Sequence, residues 1–108
     1  MKDQRNPQQR EYQRYPFQED IVIDNAIPCM SNNIGENGLS VSTLQSFVKN
    51  SIISVNIPFH GDKITIRAKV KYCQIGIGMG VEFIDLSNEQ ETKINRIIEH
   101  LKNSSMMS

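Results

Sequence analysis

The sequence has no tryptophan, only two cysteines and no net charge. With 38% hydrophobic residues and no Trp, a chain of 108 residues is expected to form one domain with a modest core of Ile, Val and Leu and a few Phe and Tyr. The balance of 12 acidic and 12 basic side chains argues against a general binder of nucleic acid or acidic membranes. Cys29 and Cys73 lack the paired spacing of a zinc site, so the sequence predicts two reduced, semi-buried thiols.

Long apolar segments and catalytic patterns are also missing. The polar N-terminus has no apolar segment of the kind found in secretory signals, and no apolar run approaches the length of a membrane span. These absences predict a soluble, cytoplasmic protein. His60 and His100 have no neighbouring Cys, Asp or Glu pattern that would make a metal site or a triad, so we expect no enzyme activity, metal or cofactor.

Residues 1–17 are expected to form a flexible arm. They contain four Gln, two Pro and no aliphatic side chain, and they cannot bury enough apolar surface to fold alone. Arg10 and Arg14 lie four residues apart in this arm. Pro7 and Pro16 stand on either side of the pair and disfavour a helix through it.

Residues 18–102 show the pattern of an antiparallel β domain that ends in one helix. Alternating or β-branched runs predict strands at 21–23, 39–43, 53–59, 63–72 and 81–84. The polar stretch 31–38 predicts a turn, because Asn37 and Gly38 both tolerate positive φ. In 63–72 the alternation places one set of residues on the core face and a basic set on a face expected to be solvated. The core-face set is Ile64, Ile66, Ala68, Val70 and Tyr72.

The C-terminal segment predicts a single amphipathic helix. Ser87 and Gln90 have the spacing of a capping box, in which each side chain bonds the backbone of the other. Apolar residues at helical spacing follow and define one buried face: Ile94, Ile97, Ile98 and Leu101. Residues 103–108 are expected to be a frayed tail.

The arginine pair and the Asn/Gly stretch together indicate a site for an anionic, guanine-bearing ligand. A guanidinium presents a planar fork of donors that matches phosphate oxygens and the O6/N7 edge of guanine, and it can stack on a purine. The Asn33 amide can both donate to and accept from a guanine edge. Gly35 and Gly38 allow the backbone to approach a ligand closely.

These residues resemble the two motifs of the PilZ domain family, which comprises small bacterial receptors for cyclic di-GMP. The family motif RxxxR is present at residues 10–14 as REYQR. The motif (D/N)xSxxG is present at 33–38 as NIGENG, with Gly35 where the family has Ser. The segment 80–87, which leads into the helix, is also similar to the family. The resemblance spans about residues 9–102 and implies a domain without an attached output module.

The resemblance implies a six-stranded antiparallel β-barrel with a C-terminal helix, and cyclic di-GMP bound between the arm and the barrel. Arg10 and Arg14 would then hold phosphates and guanines, Asn33 would read a guanine edge, and Gly38 would keep the turn tight. Loss of the family Ser at Gly35 would weaken binding by about 0.5–1.5 kcal/mol. Ligand binding would order the arm and signal to a separate effector protein. A monomer and one bound ligand are favoured.

Two other functions remain open. A PilZ-type protein-interaction module without a nucleotide ligand is suggested by Gly35. Binding of single-stranded nucleic acid on the basic face Lys63–Lys71 competes less well, because that face lacks interleaved exposed aromatic side chains.

Overall fold

The computed structural model describes residues 13–107, with side chains described as far as residue 104. Seven strands and one helix make up this part of the chain. The strands are β1 (Tyr15–Pro16), β2 (Asp20–Ile23), β3 (Ile27–Gly35), β4 (Gly38–Ser42), β5 (Ile52–Phe59), β6 (Asp62–Gln74) and β7 (Gly78–Ile84), and the helix is α1 (Asn88–Met107).

Six of the strands close into an antiparallel barrel. The sheet order is β3, β2, β5, β6, β7 and β4, and β4 pairs back with β3 to complete the circle. β1 is an extra strand that pairs with the end of β3. The predicted six-stranded antiparallel barrel with one C-terminal helix is therefore confirmed. Closure leaves no long unpaired edge among the six strands.

β3 corrects the prediction of a turn at residues 31–38. It is a nine-residue strand that continues through this polar stretch to Gly35. On one edge β3 pairs first with β2 and then with β1, while its other edge pairs with β4. Asn32 and Asn33 are only half-buried whereas Ile34 is fully buried, so the strand keeps its polar side chains partly accessible to solvent and its apolar side chain in the core. Backbone pairing on both edges thus outweighs the low β propensity of the asparagines.

The turn between β3 and β4 consists only of Glu36 and Asn37, and its conformation differs from the prediction. Gly35 and Gly38 are the last pair of the ladder, and neither Asn37 nor Gly38 is among the described residues with positive φ. Positive φ is therefore not what this turn requires of Gly38.

A β-bulge in β6 overturns the predicted placement of Tyr72. The alternation holds from Ile64 to Val70, all of whose inward side chains are buried. Val70 then pairs with Val81 and Tyr72 with Gly80, so two steps along β6 match one step along β7. The extra residue reverses the alternation, and Tyr72 lies on the outer face with 52% of its surface exposed.

The end of the predicted arm is part of the barrel. Phe17 is only 4% exposed and belongs to the core, so the boundary expected at 17–18 falls inside the packed structure. The fully buried Ser31 hydroxyl fixes this segment, because it accepts a hydrogen bond from the Glu19 N–H at 2.9 Å and donates one to the Phe17 carbonyl at 2.5 Å. Residues 1–12, with Arg10, lie outside the described residues.

α1 closes one side of the core and begins as predicted. The Gln90 side chain accepts from the Ser87 N–H at 2.8 Å, and the Ser87 hydroxyl accepts from the Gln90 N–H at 3.1 Å. Ile94, Ile97 and Ile98 are buried against the barrel. The helix continues to Met107, so residues 103–107 are helical where the sequence indicated a frayed tail. In the described residues, no helix is long and apolar enough to cross a membrane.

Candidate ligand-binding cleft

Four residues from four neighbouring strands form a row across the outer face of the barrel. Asn33 on β3 is paired with Ser40 on β4, Ser40 with Gly80 on β7, and Gly80 with Tyr72 on β6. Their chain neighbours Ile34, Leu39 and Val81 are buried in the core. Because side chains alternate between the faces of a strand, the row itself faces outward.

Arg14 covers one end of this row. Its Nη1 donates a hydrogen bond to Oδ1 of Asn33 at 3.1 Å. The side chain then lies along the glycines of the β3–β4 hairpin, since a Cβ added to Gly35 would stand 3.1 Å from the Arg14 Cδ. The structure thus brings together Arg14, Asn33, Gly35 and Gly38, which are four of the five residues that the sequence indicated.

The two hairpin glycines are required for space. A Cβ at Gly38 would stand 2.5 Å from the Val81 carbonyl oxygen, a backbone atom of the adjacent strand β7. A Cβ at Gly35 would stand 2.9 Å from the Gln13 carbonyl oxygen in the arm. Gly38 therefore permits the β4–β7 pairing, and Gly35 permits the arm to lie against β3. A serine at position 35 would displace the arm from this position.

A cleft of about 370 Å³ opens along the row. Among the described residues, Arg14 and Lys71 both line it, and the one carboxylate, on Glu82, is 3.4 Å from the Lys71 Nζ. Two cations and one anion leave an excess of positive charge, which suits an anionic ligand. The cleft-lining residues are Arg14, Asn33, Asn37, Ser40, Lys71, Tyr72, Gly80, Val81 and Glu82.

Asn37 lines the cleft and carries a buried side-chain oxygen. Its Oδ1 is buried and makes no hydrogen bond within the part of the chain that the structure describes. A buried acceptor without a partner costs about 1–3 kcal/mol. A ligand N–H that reached this oxygen would recover that cost.

Several of these residues were missed by sequence reasoning. The sequence pattern predicts a solvated face for Lys71, the core for Tyr72 and a generic turn for Asn37, and it indicates Ser40 only as a substitute for the missing family serine and Gly80 not at all. A bulge brings Lys71 and Tyr72 to the same surface, and no local pattern in the sequence marks its position. The remaining basic face is partly neutralised, because Arg67 pairs with Asp85 at 2.8 Å.

The two histidines meet away from the cleft. The His60 and His100 ring centroids are 4.6 Å apart, and Phe59 stacks on His60 at 4.2 Å. This cluster joins the β5–β6 turn to α1. Within residues 13–107, no group of three or more His, Cys, Asp or Glu side chains is arranged to hold a metal ion.

Two groups away from the cleft, Cys29 and Asp62, have shifted pKa values. Burial raises the pKa of the Cys29 thiol, and a hydrogen bond with Thr43 offsets part of that rise. Cys29 and Cys73 are both half-buried free thiols, as predicted. The Lys63 N–H and the ammonium of Lys93 lower the pKa of Asp62, which lies in the β5–β6 hairpin.

Comparison with known proteins identifies the family. The sequence model of the PilZ domain matches residues 8–100, and the chain belongs to the PilZ domain family. Members of this family are generally binding and adaptor modules for cyclic di-GMP rather than enzymes. No functionally curated protein sequence matches this chain.

Solved structures with this fold include three at low sequence identity. The PilZ domain of CeSA from a cellulose-synthesizing bacterium is 18% identical with a TM-score of 0.67, covering 83% of this chain and 98% of that one. The Bacillus subtilis inhibitor of motility (MotI/DgrA) is 16% identical with a TM-score of 0.72, and the match covers 91% of this chain and 51% of that protein. An uncharacterized Legionella protein is 14% identical with a TM-score of 0.62, covering 88% of this chain and 99% of that one.

Proposed function

We propose that this protein is a bacterial, cytoplasmic receptor for cyclic di-GMP that binds the dinucleotide between the arm and the barrel. The observation that carries this function is the contact of Arg14 with Asn33 at the end of a positively charged cleft. This contact joins one residue of each family motif in a single surface. Arg10 would add a second guanidinium from the same arm.

The ligand's phosphates and guanines match the groups that line the cleft. Arg14 offers a fork of donors to a phosphate or to the O6/N7 edge of guanine. Lys71 adds a cation on the opposite side of the cleft. Asn33 presents an amide that pairs with a guanine edge once its Oδ1 is released by Arg14. A base N–H that reached the buried Oδ1 of Asn37 would supply the partner that this oxygen lacks among the described residues.

Binding is tested by calorimetric titration of the full chain with cyclic di-GMP, with GTP as the control nucleotide. We expect saturable binding with a Kd in the low micromolar range or tighter, at about one ligand per chain, and no comparable heat with GTP. A flat trace from protein with a cooperative thermal transition would contradict the receptor function.

We propose that the arm carries the signal to a separate effector protein. The described end of the arm is attached to the barrel through β1 and through the Phe17 N–H, which donates to the Asn32 carbonyl at 3.0 Å. A ligand that draws Arg14 away from Asn33 would change how residues 13–17 lie on β3. A surface altered in this way can be recognised by a partner.

Hydrogen exchange measures this coupling. We expect saturating cyclic di-GMP to slow amide exchange at residues 13–19, because the bound ligand adds contacts that hold the arm. Exchange in β5 serves as the internal control and should not change, because β5 pairs with neither β1 nor β3. Equal exchange of the arm with and without bound ligand would contradict a signal carried by this segment.

A second candidate function is a PilZ-type interaction module that needs no nucleotide. It is favoured by one observation, which is that Gly35 accommodates the arm and Asn33 accepts a hydrogen bond from Arg14 of the same chain. This function predicts a flat titration from folded protein together with a stable complex with a purified protein partner. Micromolar binding of cyclic di-GMP would exclude it.

A further inference from the structure

Tyr72 is the one aromatic residue of the cleft lining among residues 13–107, and two separate features of the fold place it there. The bulge after Val70 moves its side chain from the core face to the outer face. Gly80 on the paired strand then makes room for it, because a Cβ at Gly80 would overlap the Tyr72 ring. About half of the residue's surface, 52%, remains exposed. The Tyr72 ring therefore packs over Gly80 without being buried.

Core packing does not account for this arrangement. Tyr72 is not among the buried or partly buried residues of the hydrophobic core. Among the described residues its ring forms none of the close aromatic pairs, which lie instead at Phe59, His60 and His100. An exposed ring that lines a cleft is suited to stacking on a planar group, as in sites that bind single-stranded nucleic acids.

The distance between the two ends of the row indicates how long a ligand must be to contact both of them. Tyr72 is separated from Asn33 by three strand-to-strand steps, which amounts to about 14 Å at the usual spacing of paired strands. The Arg14 side chain contacts Asn33 at that end and reaches as far as Gly38 on β4. A single phosphate or a single base is too short to contact Arg14 and Tyr72 together. A ligand with two phosphates and two bases is long enough.

We propose that Tyr72 is a stacking platform for one base of the ligand, so that the cleft selects for a purine as well as for phosphate. This inference rests on the proposed function and adds a base-recognition residue to it. One purine lies against the exposed face of the ring, while the phosphates lie toward Arg14. The larger face of a purine gives more contact with the ring than a pyrimidine does.

Substitution of Tyr72 tests the platform. Calorimetry with cyclic di-GMP should give a Kd for Tyr72→Ala that is about 5- to 150-fold above the wild-type value, which corresponds to stacking worth about 1–3 kcal/mol per base. Tyr72→Phe keeps the ring and should bind within about threefold of the wild type. The thermal transitions of both variants should match the wild type, because the side chain lies outside the core.

Salt dependence separates stacking from charge. The loss caused by Tyr72→Ala should be the same factor at low and at high salt, since a stacked ring carries no charge. Lys71→Gln removes a neighbouring cation from the same cleft and is the matched comparison. Its effect should shrink as salt increases. A Tyr72→Ala effect that disappeared at high salt would overturn the stacking role.

Gly80→Ala tests the position of the ring without removing it. The added methyl group should push the ring aside and weaken binding in the wild-type background, but it should have little effect in Tyr72→Ala. If the losses in binding free energy of the two single variants simply add in the double variant, the methyl group itself obstructs the cleft, and that result would overturn the role of the ring.

If wild-type protein binds cyclic di-GMP and Tyr72→Ala binds equally well, the stacking role of Tyr72 is wrong while the proposed receptor function stands. If wild-type protein does not bind, the proposed function fails and the inference with it.

Discussion

Arg14→Ala is expected to raise the Kd for cyclic di-GMP by about 10- to 150-fold, because a hydrogen bond to a charged group is worth about 1.5–3 kcal/mol. The free energy of unfolding should change by less than about 1 kcal/mol, since the Arg14–Asn33 hydrogen bond is exposed and lies outside the core. Calorimetry measures the first quantity and urea denaturation the second. The expected result is a folded protein that has lost most of its affinity.

Two further variants sharpen this result. Arg14→Lys keeps the charge and loses the planar fork, so its Kd should lie between those of the wild type and Arg14→Ala. Arg96→Ala removes another exposed arginine, on α1 beside a different groove, and should bind as the wild type does. An unchanged Kd for Arg14→Ala would mean that the arm does not contact the ligand through this residue.

Gly38→Ala is expected to lower the free energy of unfolding by about 1–3 kcal/mol, which is the usual cost of forcing extra atoms into a packed structure. The new methyl group would meet the Val81 carbonyl, and neither atom can move without shifting the β4–β7 pairing. For a domain of this size, the melting temperature should fall by roughly 4–8 °C for each kcal/mol lost. Thermal and urea denaturation measure both quantities.

Gly35→Ala is the matched control, because Gly35 and Gly38 face each other across the same hairpin. Its methyl group would meet the Gln13 carbonyl and the Arg14 side chain, which belong to the arm rather than to the barrel. Since the arm can move away, Gly35→Ala should cost less stability than Gly38→Ala. An equal free energy of unfolding for Gly38→Ala and the wild type would show that β7 can shift at Val81 with little loss of stability.

Gly35 has a structural role of its own in the second motif of this chain. The family serine would occupy a position where the arm backbone lies, so Gly35 does more than remove a hydroxyl group. It allows the Gln13 carbonyl to approach β3 closely and brings Arg14 within hydrogen-bonding distance of Asn33. The contact between the two motifs in this structure therefore depends on the same residue that departs from the family pattern.

Features set by neighbours along the chain could be predicted from the sequence. The capping box at Ser87 and Gln90, the apolar stripe of α1 and the alternation of β6 as far as Val70 all depend on contacts within a few residues or on one repeating period. The resemblance to the family implied the barrel, which is confirmed, and it indicated Arg14, Asn33 and Gly38, which the structure brings together at the candidate cleft.

Features that depend on residues distant in the chain required the folded barrel. β3 is a strand because β1, β2 and β4 pair with its polar end, although its own composition favours a turn. Tyr72 reaches the cleft because β6 gains one residue relative to β7, and Gly38 is required because the Val81 carbonyl lies beside it. Backbone pairing between distant segments leaves no local periodicity to detect. The motif residues could therefore be predicted from the sequence, whereas the shape of the cleft around them is a consequence of strand register.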